Sequence, residues 1–196
     1  MSGVGAATAR QPARVVGCGG RRRARGRDDR LVNLRAARAA DAPAIQAVLL
    51  AAFPTGAEAR LVDALRRAGN LTLSLVAELD GAIVGHAAFS PVTLGGERGG
   101  FGLAPVAVRP GFQDRGLGSA LIRAGLDRCR ELAVPFVVVL GHPTYYPRFG
   151  FERADRRGLD NVYGATDAFF VLELAAGGIP AGGGLVRYGA EFAAFG

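Results

Sequence analysis

Hydrophobic positions in the first part of the chain follow a helical spacing, after a short predicted strand at Leu31–Arg35. A helix is predicted from Asp41 to Phe53, because its apolar residues recur every three or four positions and Pro43 follows a possible N-cap at Asp41. Glu58–Arg67 repeats the pattern, with apolar and charged residues on different sides. The two segments are therefore predicted as two helices, the first apolar and the second with one apolar side.

The spacing then changes to that of β-strands. Leu71–Leu79 and Ala82–Leu94 are predicted as two strands joined by a tight turn at Asp80–Gly81. Gly95–Gly100 is predicted as a second turn, and Phe101–Val108 as the next strand. These elements together predict an antiparallel meander.

A further helix and a buried strand follow the meander. Gly116–Ala133 has its apolar residues on one face, where Cys129 is predicted as a small core residue. Pro135–Leu140 is a continuous apolar run, typical of a buried parallel strand, so the segment predicts a right-handed β-α-β unit with Phe101–Val108. A last strand, a flexible glycine-rich connection and a closing segment are predicted at Phe169–Leu174, 176–184 and Leu185–Phe195.

The charge divides the chain into two parts. Its 196 residues are 49% hydrophobic, which is enough for the core of one domain, and the formal net charge is +7. Residues 1–30 carry eight arginines against two aspartates, whereas the remaining 166 residues carry 16 arginines and 15 acidic residues. We predict a disordered arginine-rich tail at 1–30 and one domain at 31–196, with no nucleic-acid surface on the nearly neutral domain.

Several kinds of chemistry are excluded by composition. All 24 basic residues are arginine, so neither a Walker-type lysine nor a Schiff-base lysine is present. Cys18, Cys129, His86 and His142 lie far apart, so no metal site and no disulfide framework are predicted. No apolar run is long enough to span a bilayer, and no secretory signal is expected, because no apolar region follows the arginines. The missing disulfide framework predicts a cytoplasmic protein.

The most informative stretch is Val106–Ala120, where a predicted strand ends and a glycine-rich turn enters a helix. The first turn of a helix has unpaired N–H groups and a partial positive charge, so it attracts phosphate. Gly116 and Gly118 allow a diphosphate to approach the backbone, and Arg115 can add a charge-assisted contact. The third glycine of a dinucleotide-binding loop is absent, which argues against a Rossmann fold.

Two motifs give the chain a family resemblance. Val106–Val108, Pro110 and the spacing Gln113-x-x-Gly116-x-Gly118 resemble motif A of the GCN5-related N-acetyltransferases, and Tyr145–Phe151 resembles the closing motif B. The resemblance covers about residues 31–196. It implies an α/β fold in which a mixed, mostly antiparallel central sheet is flanked by helices, and two parallel strands splay apart at the acetyl-CoA site.

The resemblance also implies which residues meet acetyl-CoA, the expected co-substrate. The coenzyme's pyrophosphate is expected on the helix start and its pantetheine arm along the preceding strand, with a backbone N–H near Val108 as oxyanion donor. Pro105 is predicted to mark a bulge where the strands part, or else to be a simple edge proline. The predicted cofactor-binding residues are Val106, Ala107, Val108, Gln113, Asp114, Arg115, Gly116, Leu117, Gly118 and Ser119.

Catalytic residues are predicted in motif B and just before it. Tyr146 is the predicted acid for the leaving thiolate, because it lies four residues before Gly150, as in the family's Tyr-x-x-x-Gly-Phe pattern. Pro147 disfavours helical geometry at Tyr146, so Tyr145 stays an alternative. His142 is the predicted general base, or else a cap on the strand end. Other candidates for holding or deprotonating the amine are Glu58, Glu78 and water, whereas His86 is expected to be packed or exposed.

The resemblance therefore predicts an acetyl-CoA-dependent N-acetyltransferase. It would transfer an acetyl group by direct attack to a primary amine of a small molecule or protein that the sequence does not identify. A monomer or homodimer is expected. The alternative is a non-catalytic acyl-CoA-binding or sensor module, with the same loop and no working acid.

Overall fold

The structure, a computed structural model, describes residues 32–195, so the predicted tail at 1–30 lies outside the described residues. The strands are β1 Val32–Ala36, β2 Leu73–Leu79, β3 Ala82–Leu94, β4 Glu97–Val108, β5 Phe136–Leu140, β6 Glu152–Arg153, β7 Leu159–Asn161, β8 Phe169–Glu173 and β9 Gly184–Tyr188. The α-helices are α1 Ala42–Ala52, α2 Ala57–Arg67 and α3 Leu117–Glu131. Short 3₁₀ helices lie at Ala39–Asp41, Tyr146–Phe149, Ala154–Arg157 and Ala190–Phe195.

The strands form one mixed sheet in the order β1-β2-β3-β4-β5-β8-β6. Every neighbouring pair in this order is antiparallel except β4 and β5, which are parallel and joined through α3. β9 pairs with β3 beyond the start of β2, and β7 pairs with β9 in parallel. The predicted fold class, a mostly antiparallel sheet with one parallel crossover, is confirmed.

β4 and β5 pair over only a short length. Phe101 lies opposite Val137 and Gly102 opposite Val138, and beyond Gly102 the two strands part. Pro105 lies in the parted section of β4, where the register with β3 shifts, as expected for a bulge. The later residues of β4 therefore face an opening on the β5 side.

Helices cover both faces of the sheet. Successive residues of a strand point to opposite faces, so on β2 Leu75 packs with α3 residues such as Leu121, whereas Val76 packs with α1 residues such as Val48. Cys129 of α3 is fully buried with a free thiol, as predicted. The start of α3 is thereby fixed at the edge of the opening.

The hairpin between β3 and β4 is tighter than the sequence predicted. The predicted turn over Gly95–Gly100 is wrong, because β4 already begins at Glu97 and Leu94 pairs with Glu97. Gly95 and Gly96 both have positive φ, which lets two residues close the turn.

The side chain of Asp41 does not act as the predicted N-cap of α1, although the residue stands before that helix. Its carboxylate accepts hydrogen bonds from the Arg35 side chain (2.6 Å) and the Arg38 backbone N–H (2.6 Å), and these lower its pKa to about 2. Arg35 also donates to Glu78 (2.7 Å), so the group ties β1 to β2 and to the start of α1.

His86 of β3 is completely buried, and of the two options in the sequence the packed one holds. Its Nε2 lies 2.9 Å from Ser74 Oγ, and its Nδ1 has no hydrogen-bond partner within residues 32–195. Burial, with a smaller contribution from Arg66, lowers the pKa of His86 to about 3. The neutral imidazole is therefore part of the core.

None of the helices in the described part of the chain is long and apolar enough to cross a membrane. Within the same residues, no group of three or more His, Cys, Asp or Glu side chains is arranged to hold a metal ion.

The buried histidine predicts a pH-dependent stability. An unfolded histidine titrates near pH 6.5, so in acid the unfolded chain binds a proton that folded His86 does not. The contribution of His86 to the free energy of unfolding should be at its maximum above that pH, and it should fall by up to about 1.4 kcal/mol per pH unit below it. Urea denaturation between roughly pH 6 and 4 should show a shallower pH slope for His86→Gln than for the wild type.

Asp41→Asn is the matched control for this measurement. The pKa of Asp41 is lowered from 3.8 to about 2, so its contribution is present above the upper value and disappears only as the pH falls through the lower one. The control should keep the wild-type slope in the His86 window. Equal slopes for the wild type and His86→Gln would contradict a neutral buried imidazole.

Candidate active site

The loop between β4 and α3 is held in a defined shape by glycines and one side chain. Gly111 and Gly116 have φ of 86° and 84°, and Asp114 has φ of 61°, so the chain turns sharply before the helix. Gln113 Nε2 donates to the carbonyl oxygen of Val108 at 3.0 Å. This hydrogen bond fastens the loop to the end of β4.

The start of α3 presents unpaired N–H groups. The Ala120 N–H donates to the Gly116 carbonyl at 2.9 Å and makes the first bond of the helical pattern. The N–H groups of Leu117, Gly118 and Ser119 precede it and have no acceptor within the helix. Together with the partial positive charge of the helix start, they form a cradle for an anion.

A cleft of about 550 Å³ opens over this cradle. It contains nine of the ten predicted cofactor-binding residues; the tenth, Arg115, does not line it, and its guanidinium carbon lies 5.6 Å from the centroid of the Phe112 ring. The lining residues are Ala52, Phe53, Val106, Ala107, Val108, Phe112, Gln113, Asp114, Gly116, Leu117, Gly118, Ser119, His142, Thr144, Tyr145 and Arg148.

Several lining residues were not predicted from the sequence. Phe53, just after α1, and Phe112 read as ordinary apolar residues, because their approach to the cleft depends on tertiary packing. Arg148 stood inside motif B, but nothing in the sequence separated it from the other arginines. Thr144 became visible only through its contact with His142.

Tyr145 and Tyr146 lie on different sides of the site. Tyr145 lines the cleft, and a Cβ atom on Gly118 would lie 3.3 Å from the Tyr145 Oη and 3.6 Å from Val108 Cγ2. The Tyr145 hydroxyl therefore lies at the start of α3, which is the anion-binding end of the cleft.

Tyr146 is buried, with 1% of its surface exposed, and does not line the cleft. Its ring packs on Phe151 and Phe170, and it lies so close to Gly141 that a Cβ there would overlap it. Gly141 directly follows β5, so the ring lies beside the section where β5 has parted from β4. Burial raises the pKa of the Tyr146 phenol, with a further contribution from Tyr145.

A third tyrosine approaches the same opening from the other face. Tyr188 of β9 lies over Gly102, the last residue at which β4 pairs with β5, since a Cβ on Gly102 would lie 2.6 Å from its ring. Burial raises the pKa of Tyr188, and the neighbouring phenols of Tyr163 and Tyr146 raise it further. Besides Tyr146, a second tyrosine therefore lies near the point where the strands part.

The candidate bases are separated by the structure. His142 is exposed at the cleft, and its Nδ1 lies 3.0 Å from Thr144 Oγ1. Glu78 is paired with Arg35 and does not line the cleft. Glu58 is 5% exposed and its Oε2 has no hydrogen-bond partner among the described residues; burial raises its pKa. Of the three side chains, only His142 lines the cleft.

Comparison with known sequences identifies the family to which the chain is similar. The Acetyltransferase (GNAT) family model matches residues 42–151, which is more than half of the chain. The chain is 43% identical over 158 residues to the uncharacterized N-acetyltransferase YhbS of Escherichia coli strain K12, covering 79% of this chain and 95% of that protein.

Solved structures agree with the sequence comparison. The crystal structure of the GNAT family N-acetyltransferase YhbS from Escherichia coli in complex with CoA has a TM-score of 0.82 and 40% identity, covering 85% of this chain and 94% of that one. A GNAT family acetyltransferase from Brucella melitensis in complex with acetyl-CoA has a TM-score of 0.71 and 40% identity, covering 83% and 99%. The helix cradle, the parted strands and these relatives together show that the chain belongs to the GNAT acetyltransferase family.

Proposed function

We propose that this acetyltransferase holds acetyl-CoA in the cleft over α3 and transfers its acetyl group directly to a primary amine. The observation that carries the proposal is the unpaired N–H groups at Leu117–Ser119, which face a cleft that continues along the free side of β4. Solved relatives that contain CoA or acetyl-CoA support the choice of ligand.

The two ends of the coenzyme meet different parts of the cleft. The pyrophosphate accepts hydrogen bonds from the N–H groups at the start of α3, where the helix dipole favours its charge. The pantetheine arm runs along Val106–Val108, whose cleft side is not paired with β5. Its amide groups bond to this backbone as an added strand would, which directs the thioester toward the opening between β4 and β5.

The reaction needs two proton transfers. The nitrogen of the neutral amine attacks the thioester carbonyl carbon, forming a C–N bond, and a backbone N–H near Val108 stabilises the oxyanion. Collapse of the intermediate breaks the C–S bond and releases the thiolate of coenzyme A. A base takes the extra proton from the amine nitrogen, and an acid gives a proton to the sulfur.

Tyr146 is the proposed acid, because its ring lies beside the parted strands, whereas the Tyr145 hydroxyl lies at the start of α3. The Tyr146 phenol is protonated at neutral pH, and burial raises its pKa further, so it gives its proton only to a strong base. A buried thiolate is destabilised by the same desolvation, which favours proton transfer to the sulfur. Tyr145 is assigned to positioning the coenzyme.

His142 is the proposed base, since it is the one ionisable candidate for this role that lines the cleft among the described residues. The Thr144 backbone N–H donates to His142 Nδ1 at 3.4 Å, and Thr144 Oγ1 lies 3.0 Å from the same nitrogen, so Thr144 holds the imidazole at the cleft. Water is the alternative acceptor.

We propose that the protein works in the cytoplasm as a monomer or homodimer, where Cys129 remains a free thiol. The reaction itself is tested by incubating the full chain with acetyl-CoA and a panel of amines, and by measuring the mass gain of an acetyl group. Release of CoA that depends on one amine class identifies the acceptor. Coenzyme binding without transfer to any amine would favour the acyl-CoA-binding module.

Gly118→Val should weaken coenzyme binding. The new Cβ would lie 3.3 Å from the Tyr145 Oη, and its methyl groups would fill the space over the cradle. We expect the Kd for CoA, measured by calorimetry, to rise at least about tenfold.

Gly182→Val is the matched control, because a Cβ at Gly182 has no atom within 4 Å and the residue does not line the cleft. It should bind CoA like the wild type. Equal Kd values for all three proteins, at unchanged unfolding temperature, would refute the assignment of the phosphate site.

Tyr146→Phe and Tyr145→Phe separate the two tyrosine roles. Loss of the acid should lower kcat roughly a hundredfold or more and leave KM for acetyl-CoA nearly unchanged. Tyr145→Phe should mainly raise KM, because its hydroxyl lies near the cradle. A normal kcat in Tyr146→Phe, with a depressed kcat in Tyr145→Phe, would transfer the acid role to Tyr145.

A further inference from the structure

Two arginines share one aromatic ring beside the coenzyme cleft. The guanidinium carbon of Arg148 lies 5.5 Å from the centroid of Phe149, and that of Arg123 lies 5.1 Å from the same centroid. Arg148 comes from the 3₁₀ helix Tyr146–Phe149 and Arg123 from α3, so the ring joins cations from the two elements that border the cleft.

Arg148 is fixed toward the cleft. It lines the cavity, its guanidinium carbon lies 3.9 Å from the centroid of the Tyr145 ring, and its Nε donates to the Tyr145 carbonyl at 3.0 Å. The terminal nitrogens make no hydrogen bond to any described residue and remain available as donors. The Tyr145 hydroxyl in turn lies beside Gly118, so Arg148 is placed next to the proposed phosphate cradle.

Arg123 approaches the same region along α3. It follows Ser119 by four residues, so the two lie on one face of the helix, one turn apart. Ser119 lines the cleft at the helix start. Arg123 is therefore one turn away from the last N–H group of the cradle.

Neither cation is neutralised by a carboxylate within residues 32–195. Asp127, one turn after Arg123, is paired with Arg130 at 2.8 Å, and Glu152, which follows motif B, is paired with Arg157 at 2.9 Å. Two positive side chains in contact with one ring, and without a carboxylate partner, would each attract an anion bound beside that ring.

We propose that Arg123 and Arg148 form a subsite for the 3′-phosphate of coenzyme A; the proposal rests on the proposed function. The pyrophosphate is already met by the N–H groups of α3, and the pantetheine arm follows β4. The ribose next to the pyrophosphate carries the 3′-phosphate. This phosphomonoester has more negative charge than either phosphate group of the pyrophosphate. Guanidinium forks match the oxygen atoms of such a group.

The test compares two coenzymes on matched variants of the full chain. CoA and dephospho-CoA differ only in the 3′-phosphate, so calorimetry with both isolates its contribution. Arg148→Gln and Arg123→Gln should each raise the Kd for CoA about tenfold and change the Kd for dephospho-CoA less than about twofold. Arg67→Gln, which removes an exposed charge on α2 outside the cleft, is the control and should bind both ligands like the wild type.

Each outcome decides the assignment. An equal loss of affinity for CoA and dephospho-CoA would indicate that the arginines contact the pyrophosphate, and it would overturn the 3′-phosphate subsite. Unchanged affinity for CoA in both variants, or a control that weakens CoA equally, would also overturn it. If the wild type bound dephospho-CoA as tightly as CoA, the 3′-phosphate subsite would be excluded, but the proposed function would stand. If the wild type bound neither ligand, the proposed function itself would be contradicted.

Discussion

The junction between the end of β4 and the start of α3 is the constraint on which the cleft depends. Gln113 closes it with a hydrogen bond to the Val108 carbonyl, and Gly116 supplies the left-handed turn into the helix. The unpaired N–H groups of α3 and the unpaired side of β4 thereby face one space. A helix start or a sheet edge alone is common, but their fixed combination suits a ligand with a diphosphate at one end and amides along its arm.

Adjacent aromatic residues divide the chemistry of the site. Tyr145 points to the anion end, and Tyr146 packs beside the parted strands in an environment that raises the pKa of its phenol. The 3₁₀ geometry around Pro147 makes this division possible, because neighbouring residues of such a turn face different directions. The same turn carries Arg148 to the cleft mouth, so motif B contributes groups both to the proposed proton transfer and to the proposed recognition of the coenzyme.

The sequence was informative where local chemistry decides structure. The period of apolar residues predicted α1, α2, α3 and the central strands, and the glycine spacing around Gly118 predicted the cradle. It failed where short elements or tertiary contacts decide, as at β6, β7 and the two-residue turn at Gly95–Gly96. Arg148 and Phe53 belong to the same class, since their place at the cleft follows from how separate elements pack. The sequence does not identify the acceptor amine for the same reason.

Nuclear magnetic resonance of the backbone amides is the sharpest test of phosphate binding at the start of α3, because it reports on the N–H groups themselves. On titration of the ¹⁵N-labelled protein with CoA, phosphate binding at this helix start predicts saturable shifts that are largest at Leu117, Gly118 and Ser119, as expected for new hydrogen bonds to phosphate oxygens. Saturable binding with no change at these three amides, and the largest shifts elsewhere in the protein, would contradict it.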